Sequence, residues 1–164
     1  VIARTTGRHP QVAGKPQPPL FEETLLRVGG ERPLVVGDRL DTDIEGAVRW
    51  GADSLLVMTG VTDVPTLAAA AQGRRPTYVS CDLAGLFVPH PLPSVERSAA
   101  RCGGWTARGT QVGGATRAEL AGSGPAEDAL RALVSLCWAH RDAHDEPISA
   151  SAVDTAWRRA VGSV

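Results

Sequence analysis

The sequence predicts an α/β protein: half of a doubly wound parallel sheet over residues 1–90, then a small α+β domain over 91–164. Three observations predict it. Short continuous apolar runs (Leu34–Val36, Ser54–Met58 and Pro76–Val79) alternate with helix-period segments, as buried parallel strands do with their crossover helices. The turns after the first two runs are polar, and open α/β sheets bind ligands beyond the carboxyl ends of their strands. The alternation then stops at Pro89, Pro91 and Pro93, which read as a stiff linker with His90 as an exposed residue within it.

The first predicted helix runs from Leu20 to Val28. Pro18 and Pro19 suit its start, Gly29 its end, and residues 21, 25 and 28 form its apolar face. Leu34–Val36 follows as a buried strand and closes on Gly37-Asp38. The next helix has its own start signal, because Thr42-Asp43-Ile44-Glu45 fits a capping box and Ile44, Ala47, Val48 and Gly51 fall on one face. Ser54–Met58 is the second strand and ends in the polar turn Thr59–Thr62. Asp63–Ala71 is an alanine-rich helix that tolerates Pro65 in its first turn. Pro76–Val79 is a third strand, and Asp82–Phe87 a short helix or turn.

Beyond the linker, Gly104–Arg108 and Thr116–Leu120 read as two short strands flanked by glycine turns. Ala126–Arg141 has apolar residues at 129, 130, 133, 134, 137 and 138, the pattern of an amphipathic helix. Ser149 or Ser151 caps a final helix through Val153, Ala156, Trp157 and Ala160. Trp105, Trp138 and Trp157 are expected to build the core of this small domain, joined by Cys102 and Cys137.

Composition excludes some functions. A net charge of −1 offers no general attraction to nucleic acid or to an anionic membrane, and no apolar run reaches spanning length. Cys81, Cys102 and Cys137 are odd in number and form no CxxC pair, which argues against a disulfide framework or a zinc site. His140 and His144 lie one helical turn apart beside Asp145 with no third ligand, as on a solvated helix end. The string Arg159-Ala160-Val161-Gly162-Ser163-Val164 superficially resembles a pyrophosphate-cradling loop but ends the chain instead of opening a helix. Val1-Ile2-Ala3-Arg4 lacks an initiator Met, and the chain reads as the later part of a longer cytoplasmic protein.

Three residues carry the candidate chemistry. Among 17 Lys and Arg residues only Lys15 is a lysine, in the stiff Gly14-Lys15-Pro16 loop before a helix N-terminus. An ammonium is a compact charge suited to a phosphate, and that region attracts anions; the alternative is a solvated loop lysine. Asp38 directly follows a buried strand, where a carboxylate has little structural purpose and a ligand role is favoured. Asp43 divides evenly between a cation-binding role and favourable interaction with a helix dipole, and Asp41 is a turn residue.

Gly14-Lys15-Pro16, Val35–Ile44 (VVGDRLDTDI) and Leu56–Val61 (LVMTGV), in this order and spacing, resemble the haloacid dehalogenase (HAD) superfamily. More narrowly they resemble its subfamily IIA of sugar-phosphate, nitrophenyl-phosphate, phosphoglycolate and pyridoxal-phosphate phosphatases. The resemblance covers residues 1–90 and implies the C-terminal half of a Rossmann-like HAD core. It implies that Lys15 is the third-motif lysine binding the phosphoryl group, and that Asp38 and Asp43 are fourth-motif acids for Mg²⁺. It further implies hydrolysis of a small phosphomonoester, glycerol 3-phosphate or similar, through an aspartyl-phosphate. The attacking Asp-x-Asp strand, the Ser/Thr strand and the cap have no counterpart in this sequence. Residues 91–164 resemble the small GNAT-like extension on some actinobacterial members of the same group, which makes a homodimer an allowed arrangement. The competing expectation is a non-catalytic binding or dimerisation module with a degenerate acetyltransferase-like domain.

Overall fold

A computed structural model describes residues 2–9 and 12–162; Val1, Ser163 and Val164, on which parts of the sequence reading fall, lie outside the described residues. The elements in order are α1 (Ile2–Thr6), α2 (Pro19–Val28), β1 (Leu34–Gly37), a π-helical turn (Leu40–Ile44) running into α3 (Glu45–Trp50), β2 (Asp53–Val57) and α4 (Val64–Ala68). They continue with β3 (Tyr78–Ser80), a 3₁₀ turn (Leu83–Phe87), β4 (Ser94–Glu96), β5 (Ala99–Cys102), β6 (Trp105–Val112), β7 (Ala115–Gly122), α5 (Ala126–His144) and α6 (Ala150–Val161).

The three apolar runs form the expected parallel sheet, ordered β1-β2-β3, with Leu34 opposite Asp53 and Leu55 opposite Tyr78. β2 is buried along most of its length, as a central strand between two neighbours should be. β1 departs from the expectation of a fully buried strand. Leu34 and Val36 are 41% and 36% exposed, because β1 is the sheet's edge among the described residues and that face has no cover.

The second half contains more sheet than the sequence suggests. β4-β5-β6-β7 form a continuous antiparallel sheet. β6 and β7 are longer than expected and join through Gly113-Gly114, while β4 and β5 come from residues between the linker and Gly104, to which the sequence reading assigns no element. Their signal is weak because β4 is three exposed residues beside Pro93, and Ala99 and Ala100 carry no strand-specific side chain. Ser149 is the α6 cap, its Oγ accepting from Ala152 N–H.

α5 lies across β5 and β6 and reaches β3 and α4, and α6 packs on β7 and α4. The apolar core therefore runs without a break from Leu56 and Leu67 to Leu130, Leu133 and Trp157. Trp105 and Trp157 fill the second half as expected. Trp138 does not belong to that interior alone: its Nε1 donates to Leu67 O at 2.9 Å, and the Arg75 guanidinium sits 5.4 Å over its ring. Two flat groups on facing elements make it a joint between the halves. His90 is likewise no exposed linker residue; it is half-buried, with Nε2 2.7 Å from Gly85 O and Nδ1 2.9 Å from Arg131 Nη2.

Candidate active site

The site lies at the carboxyl ends of β1 and β2, where the parallel sheet sends two loops out side by side. β1 ends on Gly37, and the chain turns through Asp38 and Arg39 into the π-helical turn that carries Asp43. The capping box expected at Thr42–Glu45 does not form. The helical turn begins at Leu40, before Thr42, with Arg39 as its extended N-cap residue and no capping side chain of its own. Asp43 serves that helix start instead: its Oδ2 accepts Arg39 N–H at 3.2 Å.

Asp43 is 4% exposed, and a carboxylate so buried needs partners for both oxygens. Arg39 N–H meets one, and the Lys15 ammonium pairs with the other. The side chain lies directly over Gly37, where an added Cβ would sit 2.3 Å from Asp43 Cγ. Only a residue without a side chain lets β1 end beneath this carboxylate.

Lys15 reaches Asp43 from 28 residues away because its loop is docked on α3. Phe21 stacks on Trp50 with ring centroids 5.5 Å apart, and Phe21 and Pro16 both lie against Gly46. The proline-flanked loop is thus packed down at one end, while the lysine side chain remains 42% exposed.

Asp38 is half-buried, and its contacts come from the loop after β2. Val61 N–H donates to its Oδ2 at 3.0 Å, and the Thr62 hydroxyl donates to its main-chain oxygen at 2.6 Å. Among the described residues no hydrogen bond reaches Asp38 Oδ1. Asp41 is held apart from this group. Arg39 Nε and Nη2 grip its carboxylate at 3.1 and 2.8 Å, and that hydrogen-bonded pairing holds the Asp41 carboxyl below its ordinary range and raises Arg39.

All three sequence-predicted residues therefore collect at one end of the sheet, and Lys15 and Asp43 touch. Sequence reasoning gave no site role to Val61, placed only in the polar turn and the LVMTGV block, or to Thr62, placed only in the turn. The available signal was their place directly after the neighbouring strand's carboxyl end.

Elsewhere the chemistry is quieter. The His140 and His144 rings lie 4.5 Å apart, and burial followed by His144 lowers the His140 pKa. No group of three or more His, Cys, Asp or Glu that could hold a metal ion occurs among the described residues. Asp145 ends α5 in a left-handed turn, and Arg159–Gly162 lie at the end of α6, not at the start of a helix. Cys137 and Cys102 are buried thiols, the former pushed up to about 12 by burial. Among the described residues no helix is long and apolar enough to cross a membrane.

Residues 12–86 match the HAD-hydrolase-like family model. D-glycerol 3-phosphate phosphatase of Mycobacterium tuberculosis is 38% identical over 98% of this chain and 46% of its own length. An acid sugar phosphatase of Staphylococcus haemolyticus is 38% identical over 51% of this chain and 32% of its own length. The chain thus spans less than half the length of these curated relatives. Among solved structures, the M. tuberculosis glycerol phosphate phosphatase in complex with calcium superposes with TM-score 0.66 at 37% identity. That match covers 90% of this chain and 43% of the other; the magnesium complex gives TM-score 0.58 over 81% and 39%. The mycobacterial likeness extends through both sheets, whereas the staphylococcal one covers only about half of the chain. Together these matches show a likeness to HAD-superfamily phosphatases, shared with the mixed α/β fold built on a parallel sheet.

Proposed function

We propose that this chain carries the metal- and phosphate-binding side of a Mg²⁺-dependent HAD-IIA phosphomonoesterase acting on glycerol 3-phosphate or a similarly small phosphorylated metabolite. One observation carries the reading. At adjacent strand ends stand an anchored carboxylate with one oxygen free of hydrogen bonds from the described residues, a buried second carboxylate and a half-exposed ammonium.

The donor set fits Mg²⁺, which takes hard oxygen ligands and commonly binds through one or two carboxylates while keeping several waters. Asp38 offers Oδ1 directly. Asp43 has both oxygens engaged, by Lys15 and by Arg39 N–H, and suits a supporting role. When bound, Mg²⁺ neutralises charge on the phosphoryl oxygens. The chain's own residues do the rest: Lys15 holds phosphate oxygens by charge, Asp43 holds Lys15, and Arg39 keeps Asp41 from competing as a ligand. Phosphoryl transfer depends mainly on such positioning and electrostatics. In this reading the attacking carboxylate comes from outside residues 1–164, and the antiparallel sheet with α5 and α6 is a GNAT-like second domain over 91–164.

The test is release of inorganic phosphate from glycerol 3-phosphate by the polypeptide bearing this chain, with and without Mg²⁺. Asp38→Asn removes most Mg²⁺-dependent turnover while leaving the fold intact. Unchanged turnover in that variant overturns the assignment. Residues 1–164 alone are expected to give no turnover of p-nitrophenyl phosphate.

A further inference from the structure

The loop after β2 meets Asp38 three times, and each contact removes a different freedom. Gly60 passes beneath the carboxylate, where an added Cβ would lie 1.7 Å from Asp38 Oδ2. Val61 N–H holds that same oxygen at 3.0 Å. Thr62 Oγ1 donates at 2.6 Å to the main-chain oxygen of Asp38, across 24 residues of sequence.

The last contact is the informative one. Thr62 is only 6% exposed, so its hydroxyl forgoes water and depends on this bond. A bond to the carbonyl does nothing for the charge of Asp38; it fixes the main chain from which the carboxylate projects. The Val61 amide then sets the rotation of the carboxylate, and Oδ1 is left as the oxygen without a protein partner among the described residues. Mg²⁺ demands near-ideal octahedral geometry, so a ligand this constrained binds without first being ordered.

We infer that Thr62 is a positioning residue for Asp38: its hydroxyl locks the Asp38 main chain and, with the Val61 amide, aims Oδ1 at the cation. This rests on the proposed metal role of Asp38 and extends it to a residue from the neighbouring loop.

Titration of the ¹⁵N-labelled protein with MgCl₂, following the Val61 amide by NMR, tests it in the wild type, Thr62→Val and Thr62→Ser. The wild type gives a saturable shift at Val61. Thr62→Val, which keeps shape but loses the hydroxyl, weakens Mg²⁺ binding about 10-fold, the scale of lost outer-sphere support. Its Val61 amide is already displaced before metal is added, because Asp38 has moved. Thr62→Ser restores both signals toward the wild type. If Thr62→Val does not fold, Thr62→Ala, which leaves room for a water, takes its place in the same titration. A hydroxyl-less variant that titrates like the wild type overturns the role of Thr62 and leaves the metal reading standing. A wild type without a saturable Val61 shift removes the metal reading itself, and this inference with it.

Discussion

Two ion pairs of similar composition sit in opposite settings. Lys15–Asp43 lies at the mouth of the parallel sheet, with side chains 42% and 6% exposed; Arg131–Asp128 lies on α5, with side chains 8% and 12% exposed. Arg131 spreads its guanidinium over Asp128 Oδ1 at 2.8 Å, Val79 O at 3.1 Å and His90 Nδ1 at 2.9 Å, and so ties α5 to the end of β3 and to the chain joining the two sheets. Asp128 also accepts from Cys102 Sγ on β5. That cluster uses its charges on protein partners. The Lys15 cluster leaves an ammonium half in solvent and a neighbouring carboxylate oxygen without a partner among the described residues. The buried pair ties the elements together; the open pair is the one the proposed function assigns to a ligand.

Four tests break or sharpen that contrast. The largest effect is expected from Arg131→Met, which leaves Asp128 buried and unpaired and costs about 3–5 kcal/mol. Urea unfolding reads it directly, and Lys15→Met in the same assay should cost less, about 1–3 kcal/mol, because buried Asp43 loses a partner but water reaching the lysine's place can meet its freed oxygen. Equal losses in the two variants would erase the distinction between a structural pair and a poised one. Next comes Asp38→Asn, expected to lower Mg²⁺-dependent phosphate release about 10²-fold, the consequence of losing a few kcal/mol of charge stabilisation. Its unfolding midpoint should stay close to the wild-type value, since among the described residues no salt bridge involves Asp38.

Gly37→Ala is intermediate. Its new methyl collides with Asp43, and the shift this forces costs about 1–3 kcal/mol by calorimetry. The same substitution at Gly73, where nothing lies within 4 Å of an added Cβ, should cost far less. The smallest effect belongs to Asp142→Asn. Arg75 grips that carboxylate through two bonds of 2.8 Å and, chiefly by those bonds, holds its pKa below the ordinary 3.8. A depressed carboxyl pKa stabilises the fold above the ordinary value, and that contribution is lost as pH falls through the lowered one. Unfolding midpoints of wild type and Asp142→Asn should therefore differ slightly at pH 7 and converge as pH falls below about 3.8.

Much of the first sheet was legible because its signals are local. Continuous apolar runs mark β1, β2 and β3, and parallel pairing follows from their alternation with helices. Lys15, Asp38 and Asp43 were singled out for the same reason: the first two each follow a glycine at a predicted element boundary, and Asp43 stands at the start of a predicted helix. The second sheet was only half legible. β4 and β5 have no periodicity of their own and exist because β6 offers them an edge. His90 and Trp138 were misplaced because a linker histidine and an amphipathic tryptophan look the same whether they face water or a neighbouring element.

By itself the sequence determined the class of fold, the order of the chemical groups and their assignment to the ends of particular strands. These follow from hydrophobic period and turn chemistry, which act within a few residues. Only the tertiary structure decided which groups meet. Lys15 finds Asp43 because Phe21 stacks on Trp50, and Asp38 is held by Thr62 because parallel pairing sets the two strand ends side by side. Such contacts span 24 to 28 residues, and no local pattern encodes a partner at that distance.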